Sequence, residues 1–155
     1  TGHLVVSTLH TNSSASTITR LEDMGVEPYL IADSIVGVIA QRLVRRLCPE
    51  CKKPRMANAE ELEILGADPE EKVQIYEPCG CSKCDHMGYK GRIGVYEIME
   101  MTPALKRIIS KEGTVEEIKD QAMKEGMHTL RMSAAEYVRQ GITSVAEMVK
   151  VSFDS

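Results

Sequence analysis

Leu4 to Leu9 is a short run of apolar and β-branched residues, the pattern of a strand buried on both faces of a parallel sheet. Polar residues, His10 to Ser14, follow at once. A helix is predicted from about Ala15 to Met24, stopped by Gly25. Pro28 then opens a longer helix predicted to reach about Leu47, with Leu30, Ile31, Ile35, Val38, Ile39 and Leu43 at helical spacing. Arg42, Arg45 and Arg46 gather at its C-terminal end, where cations match the negative end of a helix dipole.

Between Cys48 and Gly91 the pattern weakens into a polar excursion, Lys52 to Glu77, with a short helix expected from Glu60 to Leu65. Gly91 to Met99 reads as a strand. The remainder is helical. Thr102-Pro103 starts one helix, and Thr114-Val115-Glu116-Glu117 is a capping box for a second. Thr129 caps a third, ended by Gly141, and Ser144 caps a short fourth. The methionines of these helices, among them Met123, Met127, Met132 and Met148, fall on apolar faces and are expected to fill core.

Composition narrows the setting. The chain has 155 residues, 43% of them hydrophobic, enough for one sizeable core or two small ones. No apolar run approaches the roughly 20 residues that span a bilayer, so a soluble, cytosolic setting is expected. A net charge of −4 gives no overall pull toward nucleic acid, and with no Trp and Phe153 as the sole Phe, base-stacking platforms are scarce. The chain opens on Thr1-Gly2-His3 and runs straight into an apolar strand, which reads as a piece of something larger.

Four cysteines stand as two pairs, Cys48-Pro49-Glu50-Cys51 and Cys81-Ser82-Lys83-Cys84. A CxxC turn aims two sulfurs at one tetrahedral cation, and two such turns close the shell, leaving no open position for chemistry. Structural zinc is the expectation. CPxC is also a dithiol motif, but a cysteine at the C-terminal end of a helix has the dipole against its ionisation. Arg45, Arg46, Lys52, Lys53 and Lys83 are near in sequence to offset the −2 charge of four thiolates on a divalent ion. Cys79 lies only two residues before Cys81, too close for the two-residue turn, and His86 is a spare ligand that four sulfurs make unnecessary.

His10, Thr11 and Asn12 sit at the C-terminal end of the first strand, where open parallel sheets bind ligands, well placed for a phosphate or its attacking water. His3 lies at the other end, roughly 23 Å away at about 3.3 Å per residue. The alternative for His10 is a loop or helix cap. No GxxxxGK[ST] loop occurs and no acidic residue ends an apolar strand, so the parts that grip a nucleotide are missing. Arg42, Arg45 and Arg46 could bind phosphate, as could Lys90 and Arg92 around Gly91. Arg20 belongs to the same pool of arginines suited to reaching across a subunit boundary.

Taken together, the residues resemble the motor ATPases of type II secretion and type IV pilus assembly. Thr1 to Asn12 is similar to that family's histidine box almost letter for letter. Ile18-Thr19-Arg20-Leu21, Gly25-Val26-Glu27-Pro28, Ala40 to Cys51, Gly80-Cys81-x-x-Cys84, Gly88 to Glu97 and Gly126 to Arg131 continue the likeness in order. The resemblance implies the C-terminal part of a RecA-like ATPase domain, with the phosphate-binding loop and magnesium-holding acids upstream. It implies an α/β chain: a partial RecA-like parallel sheet over 1–47, a tetracysteine zinc subdomain over 48–91, and a strand with a helical C-terminal bundle over 92–155. Cys48, Cys51, Cys81 and Cys84 become the zinc ligands. His3 and His10 become the catalytic candidates, with Thr11, Asn12, Arg20 and Arg42 nearest the nucleotide.

Partners implied are ATP with Mg2+, further subunits in a hexamer, and an inner-membrane platform protein on the cytoplasmic side. Neither nucleic acid nor membrane insertion is expected. Retraction-type relatives lack the zinc site, so the cysteines favour an assembly or secretion motor that adds pilin or pseudopilin subunits. The rival is a non-enzymatic zinc-binding interaction module for RNA. A sheet strand at Leu4 to Leu9 with both edges bare would also favour dimerisation or strand exchange.

Overall fold

A twelve-residue strand and an eleven-residue strand, far apart in sequence, form the spine of the structure. This is a computed structural model that describes residues 2–152; Thr1 of the histidine box and Phe153 lie outside the described residues. Helix α1 (Ser14–Asp23) and helix α2 (Pro28–Ser34) lead into strand β1 (Gly37–Leu47). After the first cysteine pair come β2 (Lys53–Met56), α3 (Ala59–Leu65) and β3 (Gln74–Glu77). A single 3-10 turn over the second pair precedes β4 (Tyr89–Glu100). Four helices close the chain: α4 (Pro103–Ser110), α5 (Val115–Lys124), α6 (Leu130–Arg139) and α7 (Val145–Ser152).

The helix expected from Pro28 to Leu47 ends at Ser34, and its second half is β1. Ala40, Val44 and Leu47 are the buried positions, a spacing of four and then three that suits a helix face equally well. The strand reaches it through a register shift between Arg45 and Leu47, a bulge that moves Leu47 to the buried side. Ile35-Val36-Gly37-Val38-Ile39 breaks the tie, because β-branched residues and glycine disfavour helix and the former favour strand. Arg42, Arg45 and Arg46 therefore lie along a strand, and no helix dipole acts on them.

β1 and β4 pair antiparallel from Gly37↔Glu100 through Val44↔Ile93 to Leu47↔Tyr89, and β2 and β3 form a second two-stranded sheet. Both sheets are antiparallel, so the expected parallel sheet is not present among the described residues. Leu4 to Leu9 is not a strand; Leu4, Val5 and Val6 are 82%, 78% and 89% exposed. A strand exists only through a ladder partner, and β1 and β4 are paired with each other.

The ribbon borders two cores. Ala40, Val44 and Val95 pack with α3, β3, α6 and α7 through Leu62, Ile75, Leu130, Val138 and Met148. Met99 and the half-buried Val38 join α1, α2, α4 and α5 through Ile18, Ile31, Leu105, Ile109 and Ile118. Met127 and Met148 fill core as expected, whereas Met123 and Met132 are exposed. Capping hydroxyls start the last four helices. Thr102, Thr114, Thr129 and Ser144 accept from the N–H three residues on at 3.2 to 3.3 Å, each worth about 1 kcal/mol. The capping box at Thr114 is half formed, because the Glu117 carboxylate accepts from the Thr114 hydroxyl and not from its N–H.

Candidate functional site

The two cysteine pairs meet at the end of the β1–β4 ribbon. Cys48 follows β1, and its N–H donates to the Gly88 carbonyl at 3.0 Å, just before β4 begins. Lys52 N–H donates to Cys48 O at 3.1 Å and closes the first turn. The second turn folds on the Cys81 carbonyl, which accepts from Cys84 N–H at 3.2 Å and His86 N–H at 2.8 Å. Asp85 and His86 both take left-handed backbone, and Gly88 (φ 79°) then turns the chain into β4. Only glycine fits there: a Cβ on Gly88 would lie 2.5 Å from the Pro78 Cβ.

The sulfurs of Cys48, Cys51, Cys81 and Cys84 all lie within 4.8 Å of one another. Cys48 to Cys81, Cys51 to Cys84 and Cys81 to Cys84 are each 3.8 Å. A tetrahedral ion with metal–sulfur bonds of about 2.3 Å has sulfur–sulfur edges of about 3.8 Å, so these thiols could hold a metal ion of that kind. Backbone donors surround them: Gly80 N–H reaches Cys51 Sγ, and Cys81 and Gly88 N–H reach Cys84 Sγ, each at 3.3 Å. Such donors stabilise thiolates and orient them, as the second shell of a metal site does. Burial opposes ionisation of Cys84, yet the N–H groups of Cys81 and Gly88 and the neighbouring thiols lower its pKa to about 6. Cys51 moves to about 11, because the Gly80 N–H is outweighed by burial and by the thiols of Cys84, Cys48 and Cys81. A cation is what allows all four to be thiolates together.

Cys79 is exposed and outside this set, as is His86. Cys48 follows a strand, so the dipole argument against redox chemistry falls away; four mutually close thiols argue for metal in its place. The nearby cations do not all face the sulfurs. Arg45 Nε bonds Glu147 Oε1 at 2.8 Å with its guanidinium 4.0 Å from the centre of the Tyr89 ring, and Lys52 Nζ bonds Gly141 O at 2.9 Å.

The second candidate region is a shallow recess of about 260 Å3 at the start of α1, lined by His10, Thr11, Asn12, Ser16, Thr19, Arg20 and Asp23. Ser13 caps the helix in a reciprocal box with Ser16. Arg42 Nη2 crosses from β1 to donate to Thr11 O at 3.0 Å and Asn12 Oδ1 at 3.3 Å. His3 is exposed and does not line the recess.

Sequence reasoning missed Glu97. Its carboxylate is 1% exposed, between the two cores, and its Oε2 accepts from Ser14 N–H and Ser14 Oγ at 2.8 Å each. A carboxylate at the first turn of α1 also meets the positive end of that helix's dipole. The signal was readable, since Val95, Glu97 and Met99 alternate on the inward side of one strand. Glu147, also buried, was missed for a different reason: it sits on a helix, and its partners Arg45 and Lys150 come from β1 and from the next turn.

Among the described residues no helix is long and apolar enough to cross a membrane. The sequence profile described as "Type II/IV secretion system protein" matches residues 1–150. The chain is 50% identical over 157 residues to the type IV pilus assembly ATPase PilB of Pseudomonas aeruginosa, covering 99% of this chain and 27% of that protein. It is 46% identical over 153 residues to the type IV pilus assembly ATPase TfpB of Acinetobacter baylyi (97% and 26%). It is 43% identical over 155 residues to the type II secretion system ATPase E of Vibrio cholerae (100% and 31%). The chain thus spans between a quarter and a third of the length of these relatives. With nearly its whole length matched, it belongs to the type II/IV secretion system protein family.

Proposed function

We propose that the chain is the C-terminal part of a motor ATPase that couples ATP hydrolysis to the addition of pilin or pseudopilin subunits. The motor works as a hexamer against an inner-membrane platform protein, on the cytoplasmic side. The observation that carries this reading is identity of 43% to 50% across nearly the whole chain to relatives named as pilus-assembly and secretion ATPases. In this reading residues 1–47 close the ATPase core, 48–91 form the metal subdomain and 92–155 supply a strand and the helical bundle.

His10, Thr11, Asn12 and Arg20 then face the terminal phosphate of ATP, which a phosphate-binding loop and Mg2+ hold from elsewhere in the protein. Arg42 positions that edge by holding Thr11 O and Asn12 Oδ1. His3 shares the histidine box but is exposed away from the recess, so the phosphate-facing role goes to His10. Cys48, Cys51, Cys81 and Cys84 hold zinc, which supplies four metal–sulfur bonds and no open position. Its work is structural, tying the turn after β1 to the turn before β4.

Two measurements test the reading. Labelled ATP titrated into the 155-residue chain shows no micromolar binding, because no GxxxxGK[ST] loop occurs in it. Codons upstream of Thr1 encode such a loop. Micromolar affinity in the first, or no such loop in the second, overturns the assignment.

A further inference from the structure

At the metal end of the ribbon lies a cleft of about 480 Å3 that shares no residue with the His10 recess. Arg46, Lys52, Lys90 and Arg92 line it, and no acidic or aromatic side chain does. The chain has 23 acids for 19 bases and pairs Arg45, Arg55, Arg139 and Lys150 with carboxylates. Arg46, Lys90 and Arg92 have no such partner among the described residues. Four cations therefore line one cleft with no carboxylate among its lining residues, a distribution of charge that favours an anion there.

The cleft is also built. The bulge between Arg45 and Leu47 sets Arg46 apart from the regular ladder, and its side chain lies across Gly91, whose absent Cβ would be 3.9 Å from Arg46 Cδ. Lys52 is held by Gly141 O at 2.9 Å and sits 4.5 Å from the centre of the Tyr76 ring. Its ammonium keeps two further donors. A Cβ on Gly141 would collide with the Tyr76 ring at 2.8 Å and crowd Lys52 Nζ at 3.2 Å, so glycine is what admits this arrangement. Leu47 N–H, bonded to Ile142 O at 2.8 Å, fixes the wall between them.

We infer that this cleft, formed by Arg46, Lys52, Lys90 and Arg92 around Gly91 and Gly141, binds a multiply charged phosphoanion. A carboxylate would leave most of the charge unmatched, whereas a diphosphate or a phosphate headgroup brings two or three charges and oxygens for two guanidinium forks. The volume exceeds one phosphate. The missing aromatic lining disfavours stacked bases. Free diphosphate and a lipid headgroup share this chemistry, and the experiment separates them.

The 155-residue chain is titrated with pyrophosphate at low ionic strength while amide NMR signals are followed. Saturable shifts at Gly91 and Gly141 are expected. Arg46→Gln and Arg92→Gln each weaken binding roughly tenfold, the scale of one charged hydrogen bond. Both side chains are exposed, and both variants keep the metal content of the parent. Flotation with phosphatidylcholine vesicles, with and without phosphatidylglycerol, is run beside it. Capture only by phosphatidylglycerol vesicles, competed by pyrophosphate, assigns a headgroup; pyrophosphate binding without capture assigns a free phosphoanion. The inference is overturned by three results: no saturable response to either probe; binding unchanged in both variants; or loss of metal in them, which would make these cations counter-charges of the thiolates.

Discussion

The cysteine centre and the segment from Gly2 to His10 carry equally strong sequence signatures, and the structure treats them in opposite ways. Around the cysteines every component lies within one chain: four sulfurs, three N–H donors to them, and a glycine that lets the second turn close. At Leu4, Val5 and Val6 the apolar side chains are bare and the backbone has no ladder. A motif completed by hydrogen bonds within its own segment keeps its geometry whatever lies around it. A motif that needs neighbouring strands is only as structured as its neighbours allow.

The largest effect should come from breaking the complete region. Removing the ion by chelation, or replacing Cys84 with Ser, is expected to abolish cooperative unfolding of the cysteine segment, since structural zinc contributes about 10 kcal/mol or more in small domains. Metal analysis should return one zinc per chain, and circular dichroism with and without chelator reads the loss. Next comes Glu97→Ala, which strips α1 of its buried acceptor, leaves Ser14 N–H unpaired and leaves Ser14 Oγ with only the weak Met127 Sδ acceptor at 3.6 Å. About 3 kcal/mol of stability should be lost in urea unfolding. An effect under 0.5 kcal/mol would mean that α1 is not held from β4.

A middle-sized effect is set by pH. Burial raises the pKa of Glu147, but the Arg45 N–H, Lys150 and the Arg45 guanidinium outweigh it and bring the carboxyl below its ordinary 4.5. Glu61 is lowered likewise, by Arg55 first, against burial. Both therefore contribute stability above pH 4.5 that fades as pH falls through their folded values. Glu147→Gln should flatten part of that acid slope in thermal melts and leave the neutral side less stable. Least affected should be stability on replacing Leu4, Val5 and Val6 with Ser: within about 0.5 kcal/mol, because exposed side chains lose little. The same variant should self-associate less by light scattering, sharpening the contrast, since a bare apolar segment is where association begins.

What could be read from the residues follows the same division. Helices α4 to α7 were legible because their hydroxyl caps and periodic faces are local, and the gathering of four thiols that could hold a metal was legible because CxxC spacing is local. β1 was not, because burial at Ala40, Val44 and Leu47 has the same spacing on a helix as on a bulged strand. Its real determinant is β4, some fifty residues away along the chain, and no window of sequence holds both. The recess at α1 was half legible. His10, Thr11, Asn12 and Arg20 line it together, yet the Arg42 clamp and the Glu97 anchor depend on the ribbon that the pattern concealed.

The ribbon also sets what the polar excursion can tolerate. Residues 48–88 leave at Leu47 and return at Tyr89, which are opposite each other in the ladder, and the four sulfurs gather just beyond them. With its exit and return already fixed, the excursion loses little further closure entropy when it grows. Doubling the length of the exposed tip at 68–72 costs only about 0.6 kcal/mol of closure entropy. The tip is fastened to α6 by Glu71, whose carboxylate accepts from Arg139 Nη1 at 2.9 Å, so residues added outside that pair reach outward from a frame that stays held behind them.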